Sequence, residues 1–308
     1  MALAISRGDK ISALPDSILL HILSFLHFKT VVATSILFRR WRNLWHSAPT
    51  VDLDDALFLG KEELFIRFAY AVMLSRDLTQ PILKFRLKAQ HSSYAQCDVN
   101  SWVNSAIERK VETIELSFSI NSAIKLSIGI LTCATLVVLK LENINVDRIL
   151  TVHLPALKTL CMNWVSFAKS EYREKILSGC PNIHHLQITG SSLLWLRSYP
   201  LHTRTFRRLI HVDLSHYNCN WLLILRLLNS CPLLQNLVVT KVISGTKEFD
   251  LQHNRYPVPR CLSSHLRSCT LKNFDGTEVG IQFATYIMQN TSVIKTMTIC
   301  CPITSYLK

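Results

Sequence analysis

Residues 157–162 read Leu-Lys-Thr-Leu-Cys-Met, with apolar side chains at the first, fourth and sixth positions. The same spacing recurs along most of the chain. Its nine copies begin at residues 82, 111, 136, 157, 183, 209, 234, 266 and 294. The copies are on average about 26 residues apart, and a fixed period of this size indicates an array of similar structural units.

This period predicts leucine-rich repeats, whose units are about 20–29 residues long and carry this strand signature. Helix-like segments precede several copies, at residues 101–109, 171–178, 221–229 and 280–290. One strand–helix unit cannot bury its apolar face alone, whereas stacked units share a continuous core. The expected fold class is therefore α/β, with a curved solenoid that has parallel strands on its concave face and helices on its convex side.

The alternation along each strand predicts where a partner binds. If positions one, four and six face the core, positions three, five and seven face the other way, and solenoids bind partners on this concave face. The residues expected to bind a target protein there are Lys84, Arg86, Asn163, His185, Gln187, His211 and Asp213. An ordinary solvated strand position is the alternative for each one singly, because few residues of an interface carry most of its energy.

Residues 9–50 follow a different pattern, which predicts three short helices. After Leu14-Pro15, apolar residues recur at three- and four-residue spacing up to Leu26, as on one face of a helix. Residues 30–37 and 39–45 continue as two further apolar segments. Because about 40 residues bury little surface by themselves, part of this apolar face needs another surface.

Four short stretches stand out in the N-terminal region. They are Leu-Pro-Asp at 14–16, Ile-Leu-Ser-Phe-Leu at 22–26, Val-Ala-Thr-Ser-Ile-Leu at 32–37 and Arg-Arg-Trp-Arg at 39–42. Together they resemble the F-box of plant F-box proteins that carry leucine-rich repeats and an FBD region. The resemblance continues at 81–87, where the repeats begin, and at 258–262 and 286–299, which resemble the FBD region. The chain departs from the family at His27, where proline is usual, and at Leu271, where an aromatic residue is expected.

The resemblance implies the substrate-recognition subunit of a Skp–cullin–F-box ubiquitin ligase, with no catalytic role of its own. In this family the F-box binds a Skp-type adaptor, which connects it to a cullin, and the repeats bind a target protein. The residues expected to contact the adaptor are Leu14, Pro15, Leu19, Ile22, Leu23, Leu26, Arg39 and Trp41. Packing among the helices is the alternative for each, and Trp41 fits either role. A repeat scaffold or inhibitor that acts without ubiquitin transfer is the alternative function.

These patterns divide the chain into four parts. They are an F-box helical domain at 9–50, a linking helical segment at 51–80, the repeat solenoid at 81–250 and FBD-like repeats at 251–308. The closing strand that is usual in the family lies beyond Lys308, so the final cap is expected to be incomplete.

Composition excludes several classes of protein. With 49% hydrophobic and 18% charged residues, the 308-residue chain is too apolar to be disordered. No run reaches the roughly 20 apolar residues of a membrane span, and the N-terminus does not read as a secretory signal. The ten cysteines form no C-x-x-C motif, so we expect reduced, mostly buried thiols and a nuclear or cytoplasmic protein.

The net charge of +13 raises the question of nucleic-acid binding. However, the densest basic clusters, at 39–42 and 204–208, are too short to follow a phosphate backbone. We therefore expect no nucleic-acid partner, and a basic protein associated with nucleic acid is the third hypothesis.

Motifs for catalysis, metal binding and cofactor binding were not found. The chain contains no G-x-S-x-G, H-E-x-x-H, P-loop or G-x-G-x-x-G sequence. His184 and His185 are adjacent, so on a strand they point to opposite faces. The acidic cluster of Asp52, Asp54 and Asp55 fits a helix start or a solvated turn better than an acid–base pair.

Overall fold

The computed structural model of the chain describes most of the repeats and most of the N-terminal region. The described residues are 11, 14–26, 28–36, 41–76, 80–91, 94–190, 205–216, 221–241, 258–274 and 276–302. The chain divides into two compact units, which we call the first unit (residues 1–136) and the second unit (residues 137–308).

Three short helices begin the first unit, as the sequence predicts. They are α1 (Asp16–Leu23), α2 (Phe28–Ala33) and α3 (Trp41–Leu44), and single 3-10 turns follow α2 at Thr34–Ile36 and α3 at Trp45–Ser47. Pro15 directly precedes α1, where its missing N–H leaves no helical hydrogen bond unmade. The rings of Phe28 and Trp45 meet edge to face with their centroids 6.5 Å apart, inside the small core of these helices.

Three parallel strands follow in the first unit. They are β1 (Thr50–Asp54), β2 (Lys84–Ala89) and β3 (Thr113–Phe118), with β2 in the centre. Helix α4 (Glu62–Ser75) connects β1 to β2, and α5 (Gln96–Glu108) connects β2 to β3. A 3-10 turn at Asp55–Phe58 precedes α4, and another at Ile128–Thr132 follows β3.

Strand β1 is a tenth copy of the repeat, which the sequence pattern did not reveal. It lies at the start of the stretch 51–80, for which the sequence predicted only helix. Ala48, Val51 and Leu53 occupy its first, fourth and sixth positions, and all three are buried. The small alanine at the first position conceals the pattern, because the other copies carry a large aliphatic residue there.

Two buried arginines join the helices of the first unit. Arg76 donates hydrogen bonds to the carbonyl oxygens of Trp45 (3.2 Å) and Ala48, at the end of the N-terminal helices. Arg109 donates to the carbonyl oxygen of Met73 (3.1 Å), at the end of α4. Burial, with a smaller contribution from the nearby charge of Arg109, lowers the pKa of Arg76 to about 10. Removing either side chain would leave buried carbonyl groups without their donors.

The second unit contains seven parallel strands in one sheet. In chain order its strands are β4 (Val138–Glu142), β5 (Asn145–Val146), β6 (Thr159–Asn163), β7 (Ser166–Phe167), β8 (His185–Thr189), β9 (His211–His216), β10 (Asn236–Lys241), β11 (Ser268–Lys272) and β12 (Thr296–Cys300). The short strands β5 and β7 pair with each other, and the other seven pair in chain order. The helices are α6 (Ser170–Ser178), α7 (Trp221–Asn229), α8 (Arg260–Ser264) and α9 (Glu278–Asn290).

The core lies where the repeat predicts it. All nine predicted copies form parallel strands. In the first eight copies, the residues at positions one, four and six are no more than 3% exposed. In the ninth copy Ile299 is 45% exposed, because β12 pairs only with β11 within the described part of the chain. The predicted α/β architecture of N-terminal helices followed by parallel-strand repeats is confirmed.

A left-handed residue ends several strands of the second unit. Asn143 and Trp164 have φ values of 55° and 54°, and Gly190 has a φ of 112°. The N–H of Trp164 donates to the carbonyl oxygen of Thr189 (2.8 Å), and that of Gly190 donates to the carbonyl oxygen of Ser215 (3.0 Å). These turns connect the end of each strand to its neighbour and so fix the register between repeats.

Cysteines fill small core positions in the repeats. Of the nine in the described ranges, six are buried and three are exposed. Cys133, Cys180 and Cys231 each stand three residues before the first position of a copy. Burial raises the pKa of Cys180 to about 12. The prediction of mostly buried thiols is therefore confirmed for these positions, whereas Cys97 is exposed on α5.

Asp55 is a buried anchor in the first unit, with an exposure of 2%. It accepts hydrogen bonds from the backbone N–H groups of Gln90 (3.1 Å) and His91 (2.8 Å) and from the hydroxyl of Tyr94 (3.2 Å). Burial acts to raise its pKa, but hydrogen bonds from the side chain and backbone of His91 and from its other donors together hold the pKa below its usual value. A helix does start here, since Asp54 accepts from the N–H of Ala56, but the expectation of a solvated turn is wrong for Asp55.

Replacement of Asp55 by asparagine should destabilise the first unit in a pH-dependent way. The charged acceptor is lost, so the free energy of unfolding should fall by about 2–3 kcal/mol at pH 7. Because the pKa of Asp55 is lowered in the folded state, its contribution to the free energy of unfolding is complete above the unfolded-state pKa of about 3.9. That contribution is lost as the pH falls through the folded-state pKa. Urea unfolding of wild type and D55N should therefore converge below about pH 4. A difference that persisted undiminished at about pH 2 would contradict this account.

Replacement of Gly179 by alanine should destabilise the second unit for a steric reason. Gly179 has an ordinary φ of −79° at the end of α6, but an added Cβ would lie 2.6 Å from the Cβ and 2.7 Å from the carbonyl oxygen of Val152. Overpacking of this kind costs about 1–3 kcal/mol, measurable by urea unfolding. The matched control is Ser178→Ala at the exposed neighbouring position, which should change stability by less than about 0.5 kcal/mol. Equal stability of the two variants would show that the backbone moves away from Val152 without cost.

Candidate binding surfaces

The N-terminal helices expose an apolar patch, which we call the N-terminal patch. It consists of Ile18, Ile22, Phe25 and Leu26, which are 46%, 38%, 76% and 42% exposed. Ile18 and Ile22 are one turn apart on α1, and the N–H groups of Phe25 and Leu26 continue the turn by donating to the carbonyl oxygens of Ile22 and Leu23. The four side chains therefore follow one side of the same helical segment. Adjacent exposed apolar side chains of this size indicate an interaction surface.

The residues predicted to bind an adaptor divide between the two sides of α1. The exposed or partly exposed ones are Leu14, Pro15, Ile22 and Leu26. The buried ones are Leu19, Leu23 and Trp41. Arg39 lies outside the described residues. In this conformation the buried side chains support the helices from within, and adaptor contact through the exposed ones stays a prediction.

Sequence reasoning left two prominent members of the N-terminal patch out of the predicted contact set. Ile18 and Phe25 belong to the same apolar run as Leu19 and Leu23. Helical periodicity shows that the run has one broad apolar face, but it does not show which edge of that face turns inward. The ring of Phe25 meets that of His21 edge to face at 4.9 Å, so it is held on the outer side.

Ion pairs cover the polar face of the first unit, the sheet face opposite its core. Arg86 on β2 lies 3.1 Å from Asp52 on β1 and 3.9 Å from Glu115 on β3. Lys84 lies 3.2 Å from Glu115, and Lys88 lies 3.6 Å from Asp54. The structure thus places Lys84 and Arg86 on the predicted face, but there they neutralise acidic neighbours of this chain.

A cavity of about 230 Å³ lies between the N-terminal helices and strands β1 and β2. Leu20, Phe28 and Val31 contribute to its apolar wall, and Asp52 and Arg86 contribute to its polar wall. Because Arg86 already pairs with Asp52, this polar wall does not offer an uncompensated cation or anion to a ligand.

The corresponding face of the second unit, which we call the open face, is mostly uncharged. Its residues form three rows across neighbouring strands, set by the register of the sheet. From β6 to β11 the rows are Thr159, His185, His211, Asn236 and Ser268; then Cys161, Gln187, Asp213, Val238 and Thr270; then Asn163, Thr189, Ser215, Thr240 and Lys272. The predicted residues Asn163, His185, Gln187, His211 and Asp213 all belong to these rows, and their contact with a target stays a prediction.

A histidine pair and a carboxylate occupy the centre of the open face. The rings of His185 and His211 are 5.7 Å apart. Burial, together with the charge of His185, lowers the pKa of His211, although Asp213 acts to raise it. Burial raises the pKa of Asp213, and the charges of Lys272 and His211 only partly oppose this. Burial thus disfavours the charged forms of both His211 and Asp213.

Metal sites and membrane spans are absent from the part of the chain that the structure describes. No three histidine, cysteine, aspartate or glutamate side chains come together there as a metal ion would require. None of the helices in the described ranges has both the length and the apolar character that crossing a bilayer demands.

Three family models match the chain. The F-box domain model matches residues 11–51, and the FBD model matches residues 255–299. A model of the leucine-rich repeats of the FBD-associated F-box protein At5g56370 matches residues 99–203. The first match covers the N-terminal helices, and the other two fall on the strand repeats.

Relatives in Arabidopsis thaliana combine the same domains. The F-box/LRR-repeat protein At4g14103 is 36% identical over 199 residues, which are 61% of this chain and 51% of that protein. The F-box/FBD/LRR-repeat protein At5g22700 is 33% identical over 187 residues, which are 59% of this chain and 42% of that protein. The chain spans about half the length, or less, of these curated relatives. The matched domains and the strand repeats together show that the chain carries an F-box domain, leucine-rich repeats and an FBD region.

Proposed function

We propose that this protein is the substrate-recognition subunit of a Skp–cullin–F-box ubiquitin ligase. The observation that carries the proposal is the N-terminal patch, which lies inside the matched F-box domain. A patch of this kind on a unit of three short helices is suited to a helical adaptor, because apolar and aromatic anchors dominate such interfaces.

The mechanism follows from having two binding surfaces on one chain. The N-terminal patch binds the Skp-type adaptor and through it a cullin, while the open face of the repeats binds the target protein. Holding the target near the transfer machinery raises its effective concentration there, so the chain contributes proximity and no bond chemistry of its own. We place this role in the nucleus or cytoplasm, where thiols stay reduced.

The adaptor interaction can be tested with a pair of matched double variants. The patch variant is Phe25→Glu/Leu26→Glu, and the control is Leu64→Glu/Leu74→Glu on α4. The exposures match, at 76% and 42% against 79% and 48% for Leu74 and Leu64. In the control, glutamate near the start of α4 is favourable and near its end unfavourable, so the effects on the helix largely cancel. Capture of a recombinant Skp-type adaptor by the patch variant should weaken about 30-fold or more, while the control should bind as wild type does.

Circular dichroism checks that both variants fold, since neither double substitution touches a buried residue. Wild-type protein that fails to bind the adaptor would overturn the ligase role and favour a repeat scaffold that acts without ubiquitin transfer. Equal loss in both variants would show that the N-terminal patch is not the contact surface.

A further inference from the structure

Asp213 is an unpaired carboxylate at the centre of the open face. Its neighbours in the same row are Gln187 on β8 and Val238 on β10, both uncharged. On its own strand, the flanking residues of the same face are His211 and Ser215. Among the described residues, no lysine or arginine lies within ion-pair distance of Asp213, and no donor is hydrogen-bonded to its carboxylate.

In the first unit, by contrast, carboxylates on this face of the sheet are paired within the chain. On its polar face Asp52 pairs with Arg86, and Asp54 pairs with Lys88. Glu115 receives both Lys84 and Arg86. Acidic groups at equivalent strand positions are therefore neutralised within the chain in the first unit, whereas Asp213 is not.

Partial burial makes this exception costly to the isolated chain. Asp213 is partly buried by the strands around it, and this burial disfavours its charged form. A carboxylate that has lost part of its hydration recovers the energy only through a cation or hydrogen-bond donors. Lys272 and His211 act on this charge only through space and do not outweigh its burial, so a binding partner that pairs directly with Asp213 is the source that charge complementarity selects.

We propose that the open face of the second unit binds a segment of the target protein through an arginine side chain that pairs with Asp213. The inference rests on the proposed function, because it names the chemistry by which the repeats recognise their target. A guanidinium group suits the site better than an ammonium group for two reasons. It forms two parallel hydrogen bonds with a carboxylate, and its flat faces stack on aromatic rings such as those of the adjacent His185 and His211.

The test uses short synthetic peptides and the full chain, with affinity measured by NMR titration. The probes are acetyl-Gly-Ser-Arg-Ser-Gly-amide and the same peptide with citrulline or lysine in place of arginine. Citrulline keeps the shape of arginine but removes its charge. Wild-type protein should bind the arginine peptide about tenfold more tightly than the citrulline peptide, with the lysine peptide between them. The largest shifts should fall on His185 and His211.

The decisive variant is Asp213→Asn, with Glu142→Gln on β4, three strands away in the same sheet, as its matched control. D213N should lose the preference for arginine over citrulline, while E142Q should keep it. Because Asp213 has no partner in the described chain, D213N should melt at or above the wild-type temperature, so loss of binding is separable from unfolding.

Several outcomes would overturn the inference. They are equal affinity of wild type for the arginine and citrulline peptides, an arginine preference that survives in D213N, and lysine binding as tight as arginine binding. The peptide assay needs no adaptor, so it fails independently of the proposed ligase role. A protein that captures the adaptor but shows no arginine preference refutes only the assignment of Asp213.

Discussion

Burial between neighbouring repeats is the constraint on which this structure depends. A strand with a connecting helix or loop presents apolar side chains at positions one, four and six, and it has no layer of its own to cover them. In the first eight predicted copies these side chains are almost completely buried. In the ninth, where β12 pairs on one side only, Ile299 remains substantially exposed. The contrast shows that the side chains at these core positions are covered by the adjacent repeat.

The same constraint leaves the side chains on the other face of each sheet available for ion pairs and binding. A strand alternates its side chains, so fixing one set in the core fixes the other set on the polar face. What those residues do then depends on their neighbours across the sheet. Parallel pairing in register sets Arg86 beside Asp52 in the first unit, whereas it sets Asp213 beside Gln187 and Val238 in the second. The same fold thus carries ion-paired acidic side chains on the polar face of the first unit and an acidic side chain without an ion pair, Asp213, on the open face of the second.

The repeats could be predicted from the sequence because their signal is one of spacing, and spacing is what stacking fixes. Strand β1 was not predicted because Ala48 is too small to mark the first position of a repeat, although it is buried as its counterparts are. The ion pairs on the polar face of the first unit were not predicted because they join residues more than 25 positions apart. Their partners are set by a strand register that one sequence does not reveal. The exposed edge of α1 was not predicted because helical spacing places Phe25 and Leu23 on one broad apolar face and does not show which edge turns inward.

The N-terminal helices extend the same principle to a unit without a repeat. Their inward residues, Leu23 among them, pack in a small core. Arg76, which directly follows α4, binds the end of these helices through the carbonyl oxygens of Trp45 and Ala48. Because Leu19 and Leu23 of α1 already fill this core, the side bearing Phe25 faces outward. The apolar character of that side is better explained by a surface outside this chain than by packing within it, since its inner core is already complete.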